Sequence, residues 1–442
     1  MPSTATTLKK LRILPLAAVI FLTVSGGPYG LESLLDYGGE HAALLLLIIT
    51  PLLWDIPTIF IVMELNSMMP VTGGYYQWVK KALGIRWAWY EGWWTWLYTF
   101  VDLAIYPVLF VEYASFFFPE IAHYKIPVCL GIIWLGAGLN ILGIVPVGRV
   151  SLILSVAVIT PFIILFIVFL SHHGGTLHIP ELSFNKIGFS SLGMGLYTVM
   201  WNFIGWDNTT TYAEEVNKPV RTYLISTGIA FLTVFGIYFI AVLVAQNAGI
   251  GISLLNEQGF PALGTLVAGK WLAVLIAAGG MASAMGIFSA VLLSVSRVPE
   301  VMANDHLLPE KLHTLHPKYK TPYISIIVCA VIVSTMVFWT FGDLLIIDVT
   351  LYGAALFLEY ISLIVFRLRF PDLHRPFKIP LNIAGLCVLI LLPVAVYAVA
   401  LSSAFMSSEK MLSPALFALG ALISAELVWM VIRYRNSFLK RK

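Results

Sequence analysis

Residues 13–31 read ILPLAAVIFLTVSGGPYGL, an apolar run that is interrupted about halfway along the length a membrane helix needs. A helix must continue for ~20 mostly apolar residues to cross a bilayer. Residues 25–30 bring three glycines and a proline into that length. Glycine weakens a helix, and proline removes a backbone donor while crowding the preceding turn. The break therefore indicates either a cavity-lining site or a close packing face of small residues.

The whole chain is poor in charge and rich in apolar residues. Of its 442 residues, 59% are apolar and 11% are charged, against roughly 25% charged in a soluble domain. This composition argues against a soluble enzyme and against a disordered chain. The net charge of +3 is too small to indicate a nucleic-acid partner. Three widely spaced cysteines offer no metal, redox or disulfide pattern, so no metal and no cofactor are expected.

The apolar stretches predict an all-α polytopic membrane protein that is embedded in lipid. Long unbroken apolar runs exclude a barrel. Twelve stretches are long enough to be transmembrane helices, and they cover residues 11–35, 41–66, 86–118, 125–143, 149–171, 190–216, 220–248, 270–303, 321–340, 343–367, 381–405 and 413–433.

The positions of Lys and Arg predict the orientation. With the N-terminus in the cytoplasm, all but four of the 26 basic residues fall on the cytoplasmic side, and the exceptions are Lys125, Lys186, Lys270 and Lys410. Cytoplasmic loops of membrane proteins carry such an excess of basic residues. Both termini are therefore expected in the cytoplasm, and the protein is expected in a plasma or bacterial inner membrane. An alternative for the start is a signal peptide, with Lys9 and Lys10 before the apolar run and small residues at 25–27.

A second break lies in the sixth predicted span. Residues 201–208 read WNFIGWDN, which mixes amides, a glycine and an acid into an apolar helix. The first and sixth spans would each open a block of five helices, and the two blocks would have opposite orientation. Matched breaks in two inverted repeats are the sequence pattern that best indicates a transporter's midplane binding site. The second break therefore favours the binding-site interpretation of the first.

Acids, unlike bases, fall inside the predicted spans, at Asp55, Glu64, Glu91, Asp102, Glu112, Asp207, Asp348, Glu359 and Glu426. A carboxylate at membrane depth is costly and by default suggests function. Without a basic partner in the membrane, these acids must be protonated, hydrogen-bonded or paired with a cation from outside the chain. The pattern favours a cationic substrate, a coupled proton, or both.

Helical spacing separates these acids into groups. Glu91, Tyr98 and Asp102 fall within about 20° of one line on a helix, and Asp348 and Glu359 have the same spacing of eleven residues. Glu91 stands among tryptophans near a predicted membrane surface, so we expect it to be an interfacial anchor. We expect Glu64 and Glu359 to anchor neighbouring backbone, and Glu426 to be structural.

Several segments together resemble the amino acid–polyamine–organocation (APC) superfamily, in its branch of L-type amino acid and polyamine uptake transporters. The similarity runs from the first to the eleventh span. The segments that carry it are VSGGPYGLE (24–32), GGY (73–75), EG (91–92) with Asp102 and YPVLF (106–110), MWNFIGWD (200–207), EEVNKP (214–219), LEY (358–360) and RPFKIP (375–380).

The resemblance implies a 5+5 inverted repeat (LeuT-like) with broken first and sixth helices, plus two extra helices. The implied organisation is a cytoplasmic tail at 1–10, repeats at 11–171 and 190–367, two further helices at 381–433 and a basic cytoplasmic tail at 434–442. In the family, the first break offers N–H groups to a substrate carboxylate, which corresponds here to Ser25, Gly26 and Gly27. The second break offers carbonyls to the substrate amine, which corresponds to Asn202, Phe203, Ile204 and Gly205.

Aromatic residues at the breaks are candidates for gating or for cation–π contact with an amine, and they are Tyr29, Trp201, Phe203 and Trp206. Some proton-coupled members of the family carry a lysine in the fifth helix, where Val158 is the expected equivalent here. Carboxylates would then carry a proton or hold a cation, and the candidates are Glu32, Asp102, Glu112 and Asp207. The alternative is an exchanger or uniporter without ion coupling.

The sequence thus predicts a secondary transporter, not an enzyme. We expect proton-coupled uptake of an amino acid or polyamine, with a cationic amine favoured as the small-molecule substrate. A sodium-independent exchanger of neutral amino acids is the alternative within the class. A non-transporting nutrient receptor on the same scaffold is the alternative from another class, although two intact breaks argue against it.

Overall fold

The computed structural model describes residues 10–172, 175–185, 187–337, 341–406 and 409–439. Residues 1–9 and 440–442 of the two predicted tails lie outside this range. Within it the protein is all-helical, at 81% helix, with no strand. Backbone bridges in this range pair Leu11 with Val216 and Thr72 with Tyr212.

Seventeen α-helices follow one another along the described chain: α1 Ile13–Val24, α2 Glu32–Thr50, α3 Ile56–Met68, α4 Gly74–Leu83, α5 Ile85–Ser115, α6 Lys125–Ile141, α7 Ile144–His172, α8 Phe189–Trp201, α9 Pro219–Ala248, α10 Ile252–Gln258, α11 Phe260–Ala268, α12 Lys270–Val295, α13 Arg297–Asn304, α14 Tyr323–Met336, α15 Phe341–Arg369, α16 Ile383–Met406 and α17 Glu409–Leu439. A π-helical turn, Pro51–Asp55, joins α2 to α3. Short 3₁₀ turns cover Pro119–Tyr124, Asn208–Thr211, Ala213–Glu215 and Glu310–His313.

Nine helical segments of the described chain are long and apolar enough to cross a membrane. Three of the twelve predicted spans coincide with shorter helices, namely α1, α8 and α14, which have 12, 13 and 14 residues. The two sequence breaks explain the first two cases, because α1 stops at Val24 and α8 stops at Trp201. Beyond its break the sixth predicted span contains only 3₁₀ turns, so the expectation of a helix over 190–216 holds only for its first half.

Local bends also have identifiable causes. The backbone of Gly39 adopts φ 57° and ψ −156° inside α2, a conformation that is essentially restricted to glycine. This kink separates the first predicted span from the second. Ser296 separates α12 from α13 within the eighth predicted span.

Helix α5 occupies the centre of the bundle. It packs against α4, α12, α14, α15 and α17, and most of its side chains from Ala88 to Pro107 are buried. A cavity of about 1030 Å³ lies at the end of the bundle where bases collect, and its lining includes Thr72, Lys80, Glu215, Arg297 and Lys318. We call this end the basic end.

Candidate substrate-binding site

The first break is a tight loop built on glycines with positive φ. The φ angles are 62° at Gly26, 104° at Gly27 and 98° at Gly30, a region that favours glycine. The N–H groups of Ser25 and Gly26 both donate to the Phe21 carbonyl, at 2.9 and 3.0 Å. The Gly27 N–H donates to the Ser25 hydroxyl at 2.9 Å. All three N–H groups that the resemblance assigns to a carboxylate are therefore satisfied inside the protein.

Close packing around the loop leaves no room for side chains at these glycines. A Cβ on Gly26 would overlap Ile287, and one on Gly27 would lie 2.5 Å from Val158 Cγ1. Val158 is fully buried and lies beside the break, and its equivalence to the family's fifth-helix lysine stays a prediction.

The second break follows α8. Asn202 N–H donates to the Thr198 carbonyl at 3.2 Å, and the Asn202 carbonyl accepts the Tyr238 hydroxyl at 2.9 Å. Gly205, with φ 97°, donates its N–H to the Tyr352 hydroxyl at 3.1 Å. Among the hydrogen bonds of the described residues, none ends on the carbonyl oxygens of Phe203 or Ile204. These two buried carbonyls remain available to a ligand's donor.

The two breaks lie beside each other in the fold. A Cβ on Gly205 would lie 3.3 Å from the Thr23 carbonyl oxygen, and one on Gly30 would lie 2.8 Å from the Trp201 ring. Tyr238 hydrogen-bonds Asn202 and also approaches the Ser25 hydroxyl. The structure thus brings together the residues that the sequence assigned to one site.

Asp102 stands at this junction. Its carboxylate accepts a hydrogen bond from Tyr106, one turn further along α5, and the Trp201 side chain comes within hydrogen-bonding reach of it. Asp348 of α15 is close enough for the two carboxylates to repel each other. Asp102 is 5% exposed and Asp348 is fully buried. Two acids therefore converge next to the second break.

Asp207 closes the second break on the side of the basic end. Its carboxylate accepts the Tyr352 hydroxyl at 2.8 Å, and it is 3% exposed. Glu91 and Glu359 are close enough to interact electrostatically with it. Asp207 thus connects the break to a second group of acids.

Helices α5 and α15 run antiparallel and pair their polar residues in register. The ring contact of Tyr98 with Tyr352 sets this register, in which Asp102 lies opposite Asp348 one turn away and Glu91 lies opposite Glu359 two turns away. Between them Tyr98 and Tyr352 meet edge to face, with ring centroids 5.3 Å apart. We call this arrangement the acidic ladder, with an aspartate rung (Asp102, Asp348), a tyrosine rung (Tyr98, Tyr352) and a glutamate rung (Glu91, Glu359).

Tyr29 and Glu32 tie the first break to neighbouring elements. The Tyr29 hydroxyl donates to the Ile276 carbonyl at 2.7 Å, and its ring packs on Tyr113. Glu32 accepts the Gly30 N–H at 2.6 Å and the Tyr113 hydroxyl at 3.3 Å. Glu112, in contrast, is exposed on the surface of α5.

The chain matches a known protein family over most of its length. A family profile described as amino acid permease matches residues 14–424. The chain belongs to the amino acid permease family. This places it in the APC superfamily, which confirms the resemblance predicted from the sequence motifs.

The curated relatives of this permease include several named for polyamines. An Arabidopsis thaliana protein named as a probable polyamine transporter is 33% identical over 392 residues, covering 87% of this chain and 80% of the relative. A polyamine transporter of Oryza sativa subsp. japonica is 31% identical over 415 residues, covering 91% and 75%. A branched-chain amino acid permease of Bacillus subtilis is 27% identical over 255 residues, covering 53% and 50%. These names are those of transporters, not enzymes.

Sequence reasoning undervalued several acids of the permease. Glu91, expected as an interfacial anchor, is fully buried, and so are Glu359 and Asp55. Asp55 accepts the Trp206 indole N–H at 3.1 Å. The tryptophans around Glu91 suggested a membrane surface, but several of them donate to α17, as Trp89 does to the Ala425 carbonyl. The shared spacing of eleven residues on α5 and α15 indicated two matching lines of acids, although it does not show that these lines face each other.

Two other acids are structural, in line with expectation. Glu64 binds Arg367 through two hydrogen bonds of 2.6 and 2.7 Å and accepts the Ile379 N–H at 2.8 Å. Glu426 binds Arg86 at 2.8 Å. The expectation that no base lies within a span is wrong for Arg297, which is 1% exposed inside the apolar segment Lys270–Asn304 and pairs with Glu215 at 3.0 Å.

Proposed function

We propose that this permease is a secondary transporter that takes up polyamines together with protons by alternating access. The substrate lies between the two breaks, against Ser25, Gly26, Gly27, Tyr29, Trp201, Asn202, Phe203, Ile204 and Gly205. Asp102 and Asp207 hold the ammonium group or the coupled proton. Glu32 and Glu112 are weaker candidates, because one is committed to hydrogen bonds between elements and the other is exposed.

One observation carries this proposal. Seven acids in the bundle are at most 5% exposed. One of them, Glu64, pairs with Arg367. The other six are Asp55, Glu91, Asp102, Asp207, Asp348 and Glu359. Within the described part of the chain, none of them forms a salt bridge with Lys, Arg or His. A buried carboxylate without a partner is strongly disfavoured, so a proton or a cation from outside must neutralise it. A transported polyamine supplies such a cation.

The first break supports an amine over an amino acid. A neutral amino acid brings a carboxylate, which needs free N–H donors. At residues 25–27 the N–H groups already have partners, whereas the carbonyls of Phe203 and Ile204 accept none of the hydrogen bonds of the described residues. The site therefore offers acceptors in excess of donors, which suits a substrate that carries only ammonium groups.

Proton coupling follows from the same imbalance. No lysine occurs in the fifth predicted span, and Val158 occupies the position beside Gly27. We infer that one buried aspartate carries a proton while another binds the ammonium group, so that proton and polyamine cross the membrane together. We place this mechanism on a 5+5 inverted repeat with two further helices, in the plasma or bacterial inner membrane, with both termini in the cytoplasm.

Uptake by purified protein in liposomes tests this function. With an alkaline interior, the vesicles should accumulate labelled spermidine and putrescine, and dissipating the pH gradient with a protonophore should abolish accumulation. Empty vesicles provide the background. Accumulation of leucine without polyamine would overturn the proposal in favour of a neutral amino acid carrier. Failure to move any of these solutes would favour the receptor alternative.

A further inference from the structure

The glutamate rung contains two carboxyl groups for which the protein provides no partner. Glu91 and Glu359 are both fully buried, and neither oxygen of either residue has a hydrogen-bond partner among the described residues. Thr95 approaches Glu91 and Asp207 approaches Glu359, but neither approach completes a hydrogen bond of normal geometry. Both carboxyl groups therefore have acceptor oxygens left for a ligand.

A third side chain is directed at the same place. The Tyr75 hydroxyl is fully buried and also has no hydrogen-bond partner within the described chain. Glu91, Glu359 and Asp207 lie near enough to affect it electrostatically, and Thr95 also approaches it. A phenol oxygen can accept as well as donate, so we group the four side chains as an acceptor cage.

The cage lies between the substrate junction and the cavity at the basic end. Asp207 links it to the second break through the hydroxyl of Tyr352. On the other side, Thr72 is three residues before Tyr75 and lines the cavity of about 1030 Å³. A solute that leaves the junction for that cavity would therefore pass the glutamate rung.

The register of the ladder sets a length for its ligand. Glu91 and Asp102 are eleven residues apart on one helix, which corresponds to ~16 Å along the axis. The tyrosine rung lies between them, and its rings suit methylene groups and cations. A diamine with four methylenes is too short to bridge the two acidic rungs, whereas an extended tetraamine is of comparable length.

We propose that Glu91, Glu359, Tyr75 and Asp207 form a second ammonium subsite, which binds the far end of a long polyamine and makes the permease favour tetraamines over diamines. This inference rests on the proposed function, because it assumes that the first ammonium group binds at Asp102. When the rings of Tyr98 and Tyr352 move apart, one extended molecule contacts both acidic rungs. A diamine can occupy only one rung at a time.

Competition in liposomes tests the subsite. Inhibition of labelled spermidine uptake by unlabelled spermine or putrescine is measured for the wild type and for Glu91→Gln, Glu359→Gln and Tyr75→Phe. Glu257→Gln, which changes an exposed acid, is the control. Glutamine keeps the shape and removes the charge. We expect the inhibition constant of spermine to rise about tenfold or more in the two glutamine variants, as for loss of a hydrogen bond to a charged group. That of putrescine should change little.

The outcomes separate this inference from the proposed function. A wild type that transports no amine contradicts the function itself. If the wild type transports amines but the glutamine variants keep its ratio of spermine to putrescine inhibition, the subsite does not exist. An equal loss of inhibition by spermine and by putrescine would make the rung a proton carrier and overturn the selection by length. Inhibition by spermine that requires sodium would also overturn it. Melting temperatures near that of the wild type exclude misfolding, and Tyr75→Phe supplies a milder variant should either glutamine variant unfold.

Discussion

Asp102 is the residue at which charge, burial and the two breaks meet. It is 5% exposed, its hydrogen bond comes from a neutral tyrosine, and Asp348 faces it. An ammonium group bound there would relieve the repulsion between the two carboxylates, and its removal would restore that repulsion or require a proton. The residue therefore links substrate binding to protonation.

Asp102→Asn should abolish polyamine uptake while the protein stays folded. The amide still accepts the Tyr106 hydroxyl, so shape is kept and only the charge is lost. We expect uptake at low substrate concentration to fall at least about tenfold, the cost of one hydrogen bond to a charged group. Uptake into liposomes measures the effect, with Glu257→Gln as the matched control. Wild-type transport by the variant would remove Asp102 from the site.

Glu64 and Glu426 allow a contrast between buried and exposed ion pairs. Glu64 is fully buried, and its partners Arg367 and Arg375 are 8% and 4% exposed. Glu64→Gln leaves both arginines without a carboxylate partner and should lower the free energy of unfolding by about 3–5 kcal/mol. In the Glu426 pair the side chains are 32% and 54% exposed, so Glu426→Gln should cost no more than about 1 kcal/mol. Thermal unfolding in detergent compares them, and equal shifts would contradict this assignment.

At the scale of elements, the sequence predicted where helices break better than which helices pack against each other. Glycine and proline at residues 25–30 have local consequences, so the end of α1 could be located without knowing its neighbours. The spacing on α5 and α15 also predicted that each acid line shares one face. Which helices face each other depends on packing between distant segments. The pairing of Glu91 with Glu359 was therefore out of reach.

The same limit explains the errors in the sixth and eighth predicted spans. Residues 208–216 contain no proline or glycine to end a helix, but Gly73 N–H donates to the Thr211 carbonyl and Leu11 N–H to the Glu215 carbonyl. These distant backbone partners hold the segment in 3₁₀ turns. Arg297 lies inside the eighth span because Glu215 of this segment neutralises it.

The glycine loop of the first break should tolerate no side chain. Gly26 and Gly249 have similar φ angles, 62° and 64°, but a Cβ on Gly26 would overlap Ile287 and Ser283, whereas one on Gly249 would meet open space. Gly249→Ala should cost about 1–2 kcal/mol for its left-handed backbone alone. Gly26→Ala should lower the melting temperature further and abolish spermidine binding. Equal melting temperatures with normal binding would show that the loop has more room than the structure gives it.

At the scale of the whole molecule, the two signs of charge have different places. Bases crowd one end of the bundle, and the six unpaired acids lie within it. The first distribution predicts topology, and the second predicts the kind of substrate. The all-helical membrane class could be predicted from composition, and the orientation stays a prediction from the positions of the bases, whereas the substrate site needs the tertiary structure.

Accessibility of single cysteines should confirm the orientation. With Cys387 replaced by serine, Glu181→Cys should react with a membrane-impermeant maleimide in intact cells, because the loop between α7 and α8 faces outward. Lys318→Cys, an exposed position at the basic end, should react only after the membrane is permeabilised. The reverse pattern would invert the topology.

The joint binding of protons and a polyamine to buried acids can be measured directly on the purified permease. Calorimetric titration with spermidine in two buffers of different ionisation enthalpy gives both the affinity and the number of protons taken up or released, which are thermodynamically linked. We expect saturable spermidine binding with net proton uptake, weakened in Asp102→Asn, and no binding of leucine. Net proton release, or leucine binding in the absence of spermidine binding, would contradict the proposal.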